Sequence, residues 1–230
     1  MLCSNTFLQK TKNNSLSHPS IAHIRTEYRQ ASLDEQDLGS DPIAFFRQWF
    51  AEADNAHVNE VNAMTLATVD AAARPHARIV LLKAVDHKGF TFFTNYESAK
   101  GKEMLANPHA ALVFFWPELE RQVRIEGLIE KVSVAESDEY YLNRPRGSRL
   151  GAWASPQSSV IESRAVLEAN EQKYQLHFEG KEVHRPEHWG GYRLVPQRIE
   201  FWQGRPSRLH DRICCVLHDD QQWTKVRLAP

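Results

Sequence analysis

Residues 77–94 read Ala77-Arg78-Ile79-Val80-Leu81-Leu82-Lys83-Ala84-Val85-Asp86-His87-Lys88-Gly89-Phe90-Thr91-Phe92-Phe93-Thr94. β-Branched and aromatic residues fill 77–83 and 90–94, and Asp86-His87-Lys88-Gly89 between them has turn composition, so the stretch predicts a hairpin. Similar runs stand at 63–69, 110–116 and 121–130, where Val123 and Ile125 alternate with Arg124 and Glu126 as in a half-buried strand. Three more strands are predicted at 191–195, 197–202 and 212–217. Most strands follow one another directly, which favours an antiparallel barrel with peripheral helices, a mainly β fold, over a βαβ sheet. Helices are predicted at 98–106, 134–143 and 158–178. Another follows Asp41-Pro42, an N-cap and first-turn proline ahead of Ile43, Phe45, Phe46, Trp49 and Phe50. A helix is also expected from Ile21. The polar, aperiodic residues 1–20 read as a flexible N-terminal arm, leaving 21–230 as a single domain.

Composition narrows the function. The 28 Lys and Arg offset 29 Asp and Glu, for a net charge of -1 over 230 residues. No global field draws such a chain to nucleic acid or an anionic membrane, so any anion site is local. No apolar run is long enough for a membrane span, and the first twenty residues lack a signal core, so a cytoplasmic protein is expected. Cys3, Cys214 and Cys215 form no disulfide framework, and the histidines have no metal-ligand spacing; free thiols and no metal are expected. Gly-x-Ser-x-Gly and phosphate-binding glycine loops are absent.

Four cationic clusters remain. Arg78 and Lys83 bracket an apolar strand; they either reach solvent at its ends or converge on one pocket, which needs a bend near Lys83 because strict alternation separates their faces. Ser98-Ala99-Lys100-Gly101-Lys102 opens a helix, either a plain capped start or a phosphate site. Arg144, Arg146 and Arg149, near Tyr140 and Ser148, form either a solvated basic loop or a phosphate grip. If the chain is extended from 208 onward, Arg208, His210 and Arg212 share one face and set an imidazole between two fixed cations.

The Arg78 to Lys83 strand, Gln157-Ser158 after Gly151-Ala152-Trp153, Trp189-Gly190-Gly191-Tyr192-Arg193, the run from Glu200 to Arg212 and the closing Arg227-Leu228-Ala229-Pro230 together resemble the pyridoxamine 5′-phosphate oxidase family. The resemblance covers roughly residues 21–230. It implies an FMN-binding split β-barrel, working as a homodimer whose active sites draw on both chains, with 189–230 as the dimerisation and active-site segment. It implies oxidation of pyridoxamine or pyridoxine 5′-phosphate to pyridoxal 5′-phosphate, with O2 as acceptor and H2O2 as product.

Carried over residue by residue, the resemblance places the FMN phosphate on Arg78, Lys100 and Ser158. Ile79, Val80, Leu81, Leu82 and Lys83 would run along the cofactor, and Phe93, Thr94, Gln122, Gln157, Trp202 and Arg212 would surround the rest of it. Lys83, Tyr140, Arg144 and Ser148 would hold the substrate phosphate, Arg208 and His210 would face the pyridine as the catalytic pair, and Arg25 and Tyr28 would close over it. One position departs: where the family commonly shows Ser-Arg-Lys, this chain has Ser98-Ala99-Lys100. The competing readings are a non-catalytic flavin- or haem-binding split barrel, a related flavin oxidase acting on another small ring, and an RNA-binding module built on the 144–149 arginines.

Overall fold

The computed structural model describes residues 26–230; the arm at 1–20, Cys3 and Arg25 lie outside the described residues. Helix α1 (Pro42–Asn55) begins as expected: the Asp41 carboxylate accepts the Ile43 N–H at 2.8 Å and Pro42 occupies the first turn. Its apolar face enters the barrel. Phe46 is fully buried, with its ring 4.9 Å from Phe90 and 5.0 Å from Phe114, and Phe45 meets Phe201 at 4.9 Å. Truncating Phe46 to Ala would cost about 3–5 kcal/mol, because neighbouring rings cannot collapse into the space.

The sheet runs β2 (Pro75–Leu81), β1 (Ala63–Val69), β5 (His109–Trp116), β6 (Arg121–Lys131), β7 (Trp189–Gln203), β4 (Gly89–Asn95), β3 (Ala84–Asp86), with β8 (Asp211–Leu217) also on β7 and β9 (Trp223–Arg227) on β8. Every pairing is antiparallel. The expected strands 191–195 and 197–202 are one strand. Pro196 falls where the second edge of β7 passes from β4, paired through Leu194, to β8, paired from Arg198, so its missing N–H leaves no ladder bond unmade there. That divided edge splits the barrel. Opposite it β6 shifts register between Glu126 and Gly127, and a Cβ on Gly127 would lie 2.0 Å from the Val195 carbonyl oxygen.

The hairpin expectation needs correction. β2 ends at Leu81 and pairs with β1; the turn at 86–89 joins the short β3 to β4. Between them Leu82 donates to Asn62 O and Lys83 to Thr91 O, so the chain crosses from one part of the sheet to the other at these two residues. This is the bend near Lys83 that a shared pocket requires. Of the helix expected from Ile21, residues 21–25 lie outside the described residues; 26–30 are non-helical, because the N–H groups of Arg29 and Gln30 go to the Glu120 carboxylate, at 2.8 and 3.1 Å, instead of to carbonyls one turn back. Helices α2 (Ala99–Ala106) and α3 (Val134–Leu142) stand as expected, α4 (Arg146–Ala154) is additional, and α5 starts late, at Arg164–His177. Pro156 and the left-handed Ser158, φ 71°, keep the segment before α5 out of helix.

Candidate active site

A cleft of about 620 Å³ opens between β4, α3, α4 and the chain following α4. It gathers Lys83, Phe93, Thr94, Tyr140, Arg144, Ser148 and Gln157, drawn from segments far apart in sequence. Phe93 and Tyr140 stack at 3.8 Å with planes 11° apart, and Trp189 lies parallel to both. Gly191 permits this, since a Cβ there would sit 2.8 Å from the Phe93 ring. Helix α3 is tied down by three successive residues: Glu136 to Arg193 and Ser137 Oγ to the Gly191 N–H, both on β7, and Asp138 to Arg185 in the segment ahead of that strand. Those ties fix the direction in which the helix delivers Tyr140 and Arg144.

Arg144 is the cation this cleft holds ready. Its guanidinium lies 4.5 Å over the Trp189 ring, and Nη1 is buried without a hydrogen-bond partner among the described residues. Burial pushes its pKa down, and it raises that of Tyr140. A buried donor left unmatched in this way can donate a charge-assisted hydrogen bond to an anion that reaches the cleft. The two neighbouring arginines do not join it, contrary to a three-arginine grip. Helix α4 turns Arg146 to cap the end of α5, donating to Phe178 O and Lys181 O at 2.6 and 2.9 Å, while Arg149 lies beside Tyr141, whose hydroxyl donates to Arg149 O.

Lys100 adjoins this cleft through Thr94, and Arg78 stands near Lys100 without lining the cleft. Lys100 Nζ lies 3.4 Å from Thr94 Oγ1, which donates to Gln157 Oε1 at 3.3 Å. Burial first, then the charge of Arg78, lowers the Lys100 pKa, as expected of two cations held together. Arg78 is anchored by groups the sequence did not single out: Nη2 donates to Glu103 Oε2 at 2.7 Å and Nη1 to Thr68 Oγ1, which itself donates to Glu103. Along β2, Ile79 and Leu81 point outward and Val80 packs on the core; Leu82, just past the strand, is buried. Ser98 caps α2 through the Gly101 N–H; Lys102 and Ser158 are exposed.

The remaining residues stand elsewhere on the chain. A second cleft, about 480 Å³, is lined by Tyr28, Arg205, Arg208 and His210 among others. His210 packs 4.6 Å from Trp202 and 5.8 Å from Tyr28. The extended run from 208 is not formed: Ser207 and Arg208 are left-handed, φ 57° and 63°, and the strand begins only at Asp211. Arg212 therefore parts from its neighbours; its Nε donates to the buried Glu200 at 2.9 Å. Gln122, Trp202 and Arg212 form one cross-strand row through β6, β7 and β8. Trp189, Glu103, Glu120 and Glu200 are the neighbours that sequence reasoning missed as site residues; the aromatic ahead of Gly190-Gly191 was the one available signal.

Antiparallel pairing around a divided β7, with a cleft of cations and stacked rings at its edge, defines a split-barrel protein. The same fold is found in a pyridoxamine 5′-phosphate oxidase-related, FMN binding protein from Nostoc punctiforme, with a TM-score of 0.66 at 17% identity over 83% of this chain and 98% of that one. PhzG from Burkholderia lata 383, solved with tetrahydrophenazine-1-carboxylic acid, matches with a TM-score of 0.83 at 29% identity over 89% of this chain and all of the other. Residues 50–178 match the pyridoxamine 5′-phosphate oxidase family model, and 189–230 match the pyridoxine 5′-phosphate oxidase C-terminal dimerisation region. Pyridoxine/pyridoxamine 5′-phosphate oxidases from Ralstonia pickettii and Pseudomonas paraeruginosa are 64% and 61% identical, each over 92% of this chain and 99% of its own length. The chain belongs to the pyridoxamine 5′-phosphate oxidase family. Among the described residues, no helix is long and apolar enough to cross a membrane, and no cluster of His, Cys, Asp and Glu could hold a metal ion.

Proposed function

We propose that the protein oxidises pyridoxamine or pyridoxine 5′-phosphate to pyridoxal 5′-phosphate in the cytoplasm, with FMN as cofactor and O2 as acceptor. For the amine, the balance is substrate, water and O2 giving pyridoxal 5′-phosphate, ammonia and H2O2. The observation that carries this reading is the buried, unpartnered Arg144 Nη1 in a cleft that also holds Lys83, Tyr140 and Ser148, a site built for a phosphate ester. A second group of cations, Arg78 and Lys100 with Ser158, holds the FMN phosphate. Two phosphorylated ligands need two such groups, since each dianion must be neutralised separately.

When bound, FMN supplies the two-electron acceptance from the substrate's C4′ carbon. The protein orients and polarises. Phe93, Thr94, Gln157 and the backbone of 79–83 would hold the flavin, and Gln122, Trp202 and Arg212 would complete its surroundings. Arg208 and His210 would face the pyridine, with Tyr28 beside them in the second cleft. One chain holds these two groups in separate clefts, which supports a homodimer in which 189–230 of one chain completes the cleft of its partner. Ile79 and Phe115, 64% and 53% exposed, lie on the sheet face that carries Gln122 and Trp202, an apolar surface suited to that contact.

The test is a visible spectrum of the purified protein under nitrogen, before and after adding pyridoxine 5′-phosphate. Flavin bands that bleach are expected. A colourless protein that stays inactive after FMN is added would overturn the proposal, and bands that persist would direct attention to another small ring as substrate.

A further inference from the structure

The backbone N–H of Arg205 donates to Nδ1 of His210 at 3.1 Å. A ring nitrogen that accepts a hydrogen bond carries no proton, so the neutral ring must carry its proton on Nε2. From this contact we infer that His210 works as a neutral hydrogen-bond donor through Nε2–H, toward an acceptor oxygen or nitrogen of the bound pyridine, and does not serve as a base. This deepens the proposed function and rests on it for the identity of the acceptor. It also gives Arg205 a part in the site, as a positioning residue acting through its main chain.

The surroundings hold the tautomer in place. Trp202 packs on the imidazole at 4.6 Å, and Tyr28 meets it edge-on at 5.8 Å, so the ring has little freedom to turn. The loop that brings the Arg205 amide back to residue 210 passes through left-handed Ser207 and Arg208, conformations that cost energy for residues with a Cβ and persist where the surroundings enforce them. Gly204 closes the loop on Tyr28, where a Cβ would approach the ring to 2.6 Å. The side chain of Arg205 is itself anchored, Nη1 donating to Ala31 O at 3.2 Å.

A proton on Nδ1 would set two donors against each other and break the Arg205 contact. The charged and titratable groups around the ring are Glu27 and Tyr28 from the preceding segment, Arg205 and Arg208 from the loop, and Asp211 at the start of β8. Burial and Arg208 hold the imidazolium form down, and Asp211 opposes them. The geometry and the charges agree on a neutral ring.

Long-range ¹H–¹⁵N correlation spectra of the full FMN-loaded chain, with His210 assigned by the signal lost in His210→Gln, test the inference directly. At neutral pH, Nδ1 is expected to resonate as an unprotonated nitrogen and Nε2 as a protonated one; a protonated Nδ1 overturns the inference. Variants provide a second arm, because a glutamine amide can donate from near the Nε2 position but cannot accept a proton. Anaerobic flavin reduction should fall about threefold in His210→Gln and about tenfold or more in His210→Ala, the worth of one hydrogen bond separating them. Equal losses in both, at equal FMN content, would restore a base to this position. A protein that reduces no flavin with pyridoxine 5′-phosphate overturns the proposed function while leaving the nitrogen spectrum decisive for the tautomer.

Discussion

Arg144 lies over Trp189, guanidinium carbon to ring centroid 4.5 Å, with one buried nitrogen that no group among the described residues satisfies. The indole face supports the cation without consuming its in-plane donors, so the side chain is oriented before an anion arrives. Arg144→Ala should weaken binding of the phosphorylated substrate by about 10 to 150-fold, the worth of one charge-assisted contact of about 1.5–3 kcal/mol. Arg208→Ala should instead slow flavin reduction at saturating substrate. Rapid-mixing kinetics separate the two effects, and equal changes in binding and reduction for both variants would refute the division of roles.

Much of the fold was legible because it depends on local chemistry. Asp41-Pro42 marks a helix start wherever it stands, and alternation in 121–130 survives any tertiary context. What escaped notice depends on distant partners. Pro196 looks like a strand break until the shared edge of β7 shows that no donor is needed there. Arg146-Gly147-Ser148 reads as a turn, yet opens a helix whose apolar contact, Leu150, packs with Phe178 and Val183. At the site the cations were legible because the sequence clusters them: Arg78 with Lys83, Lys100 with Lys102, and Arg144 with Arg146 and Arg149. Their carboxylate partners were not, since nothing local to Glu103 or Glu200 reveals that Arg78 on β2 reaches the one on α2, or that Arg212 on β8 reaches the other on β7.

Glu103 offers a pH-dependent test of that hidden pairing. Burial raises its pKa, but hydrogen bonds from Thr68 and Arg78 outweigh burial and leave it lowered. A depressed folded-state pKa contributes stability above the unfolded value of about 4.3, and that contribution is lost as pH falls through the folded value. Glu103→Gln should therefore lower stability by about 1–3 kcal/mol near neutrality. The gap between the two melting curves should begin to narrow as pH falls below the unfolded value of about 4.3, and close as it falls through the lower folded-state value. A gap independent of pH would show that the ion pair contributes nothing.

Glu120 holds the segment that carries Tyr28. Its carboxylate, 7% exposed, accepts the N–H groups of both Arg29 and Gln30. Glu120→Ala leaves those donors unmatched, at a cost of about 1–3 kcal/mol, and frees Tyr28 from its place beside His210. Native-state hydrogen exchange at the amides of Arg29 and Gln30 should speed by about tenfold or more, with Glu120→Gln intermediate because its amide oxygen still accepts. Unchanged exchange at both amides would show that other contacts suffice to hold the segment.

The departure at Ala99 predicts weaker cofactor binding than an arginine would give. Ala99 is the first residue of α2, exposed, directly after the Ser98 cap, and its neighbour Lys100 is already crowded by Arg78. An arginine there could add one charge-assisted hydrogen bond to the FMN phosphate, worth about 1.5–3 kcal/mol, or roughly 10 to 150-fold. The realised gain should lie at the low end. A third cation raises the repulsion in the free protein, and Glu103, one turn along the helix, is taken by Arg78 and gives little relief. Ala99→Arg is thus expected to tighten FMN about tenfold. Turnover at saturating flavin should not change, because the ribityl chain separates the phosphate from the reacting ring. FMN titration of the apoprotein by fluorescence quenching measures the effect directly. An unchanged or weaker dissociation constant would mean that Arg78, Lys100 and the free N–H groups at the start of α2 already satisfy the phosphate, so that the absent arginine has been replaced.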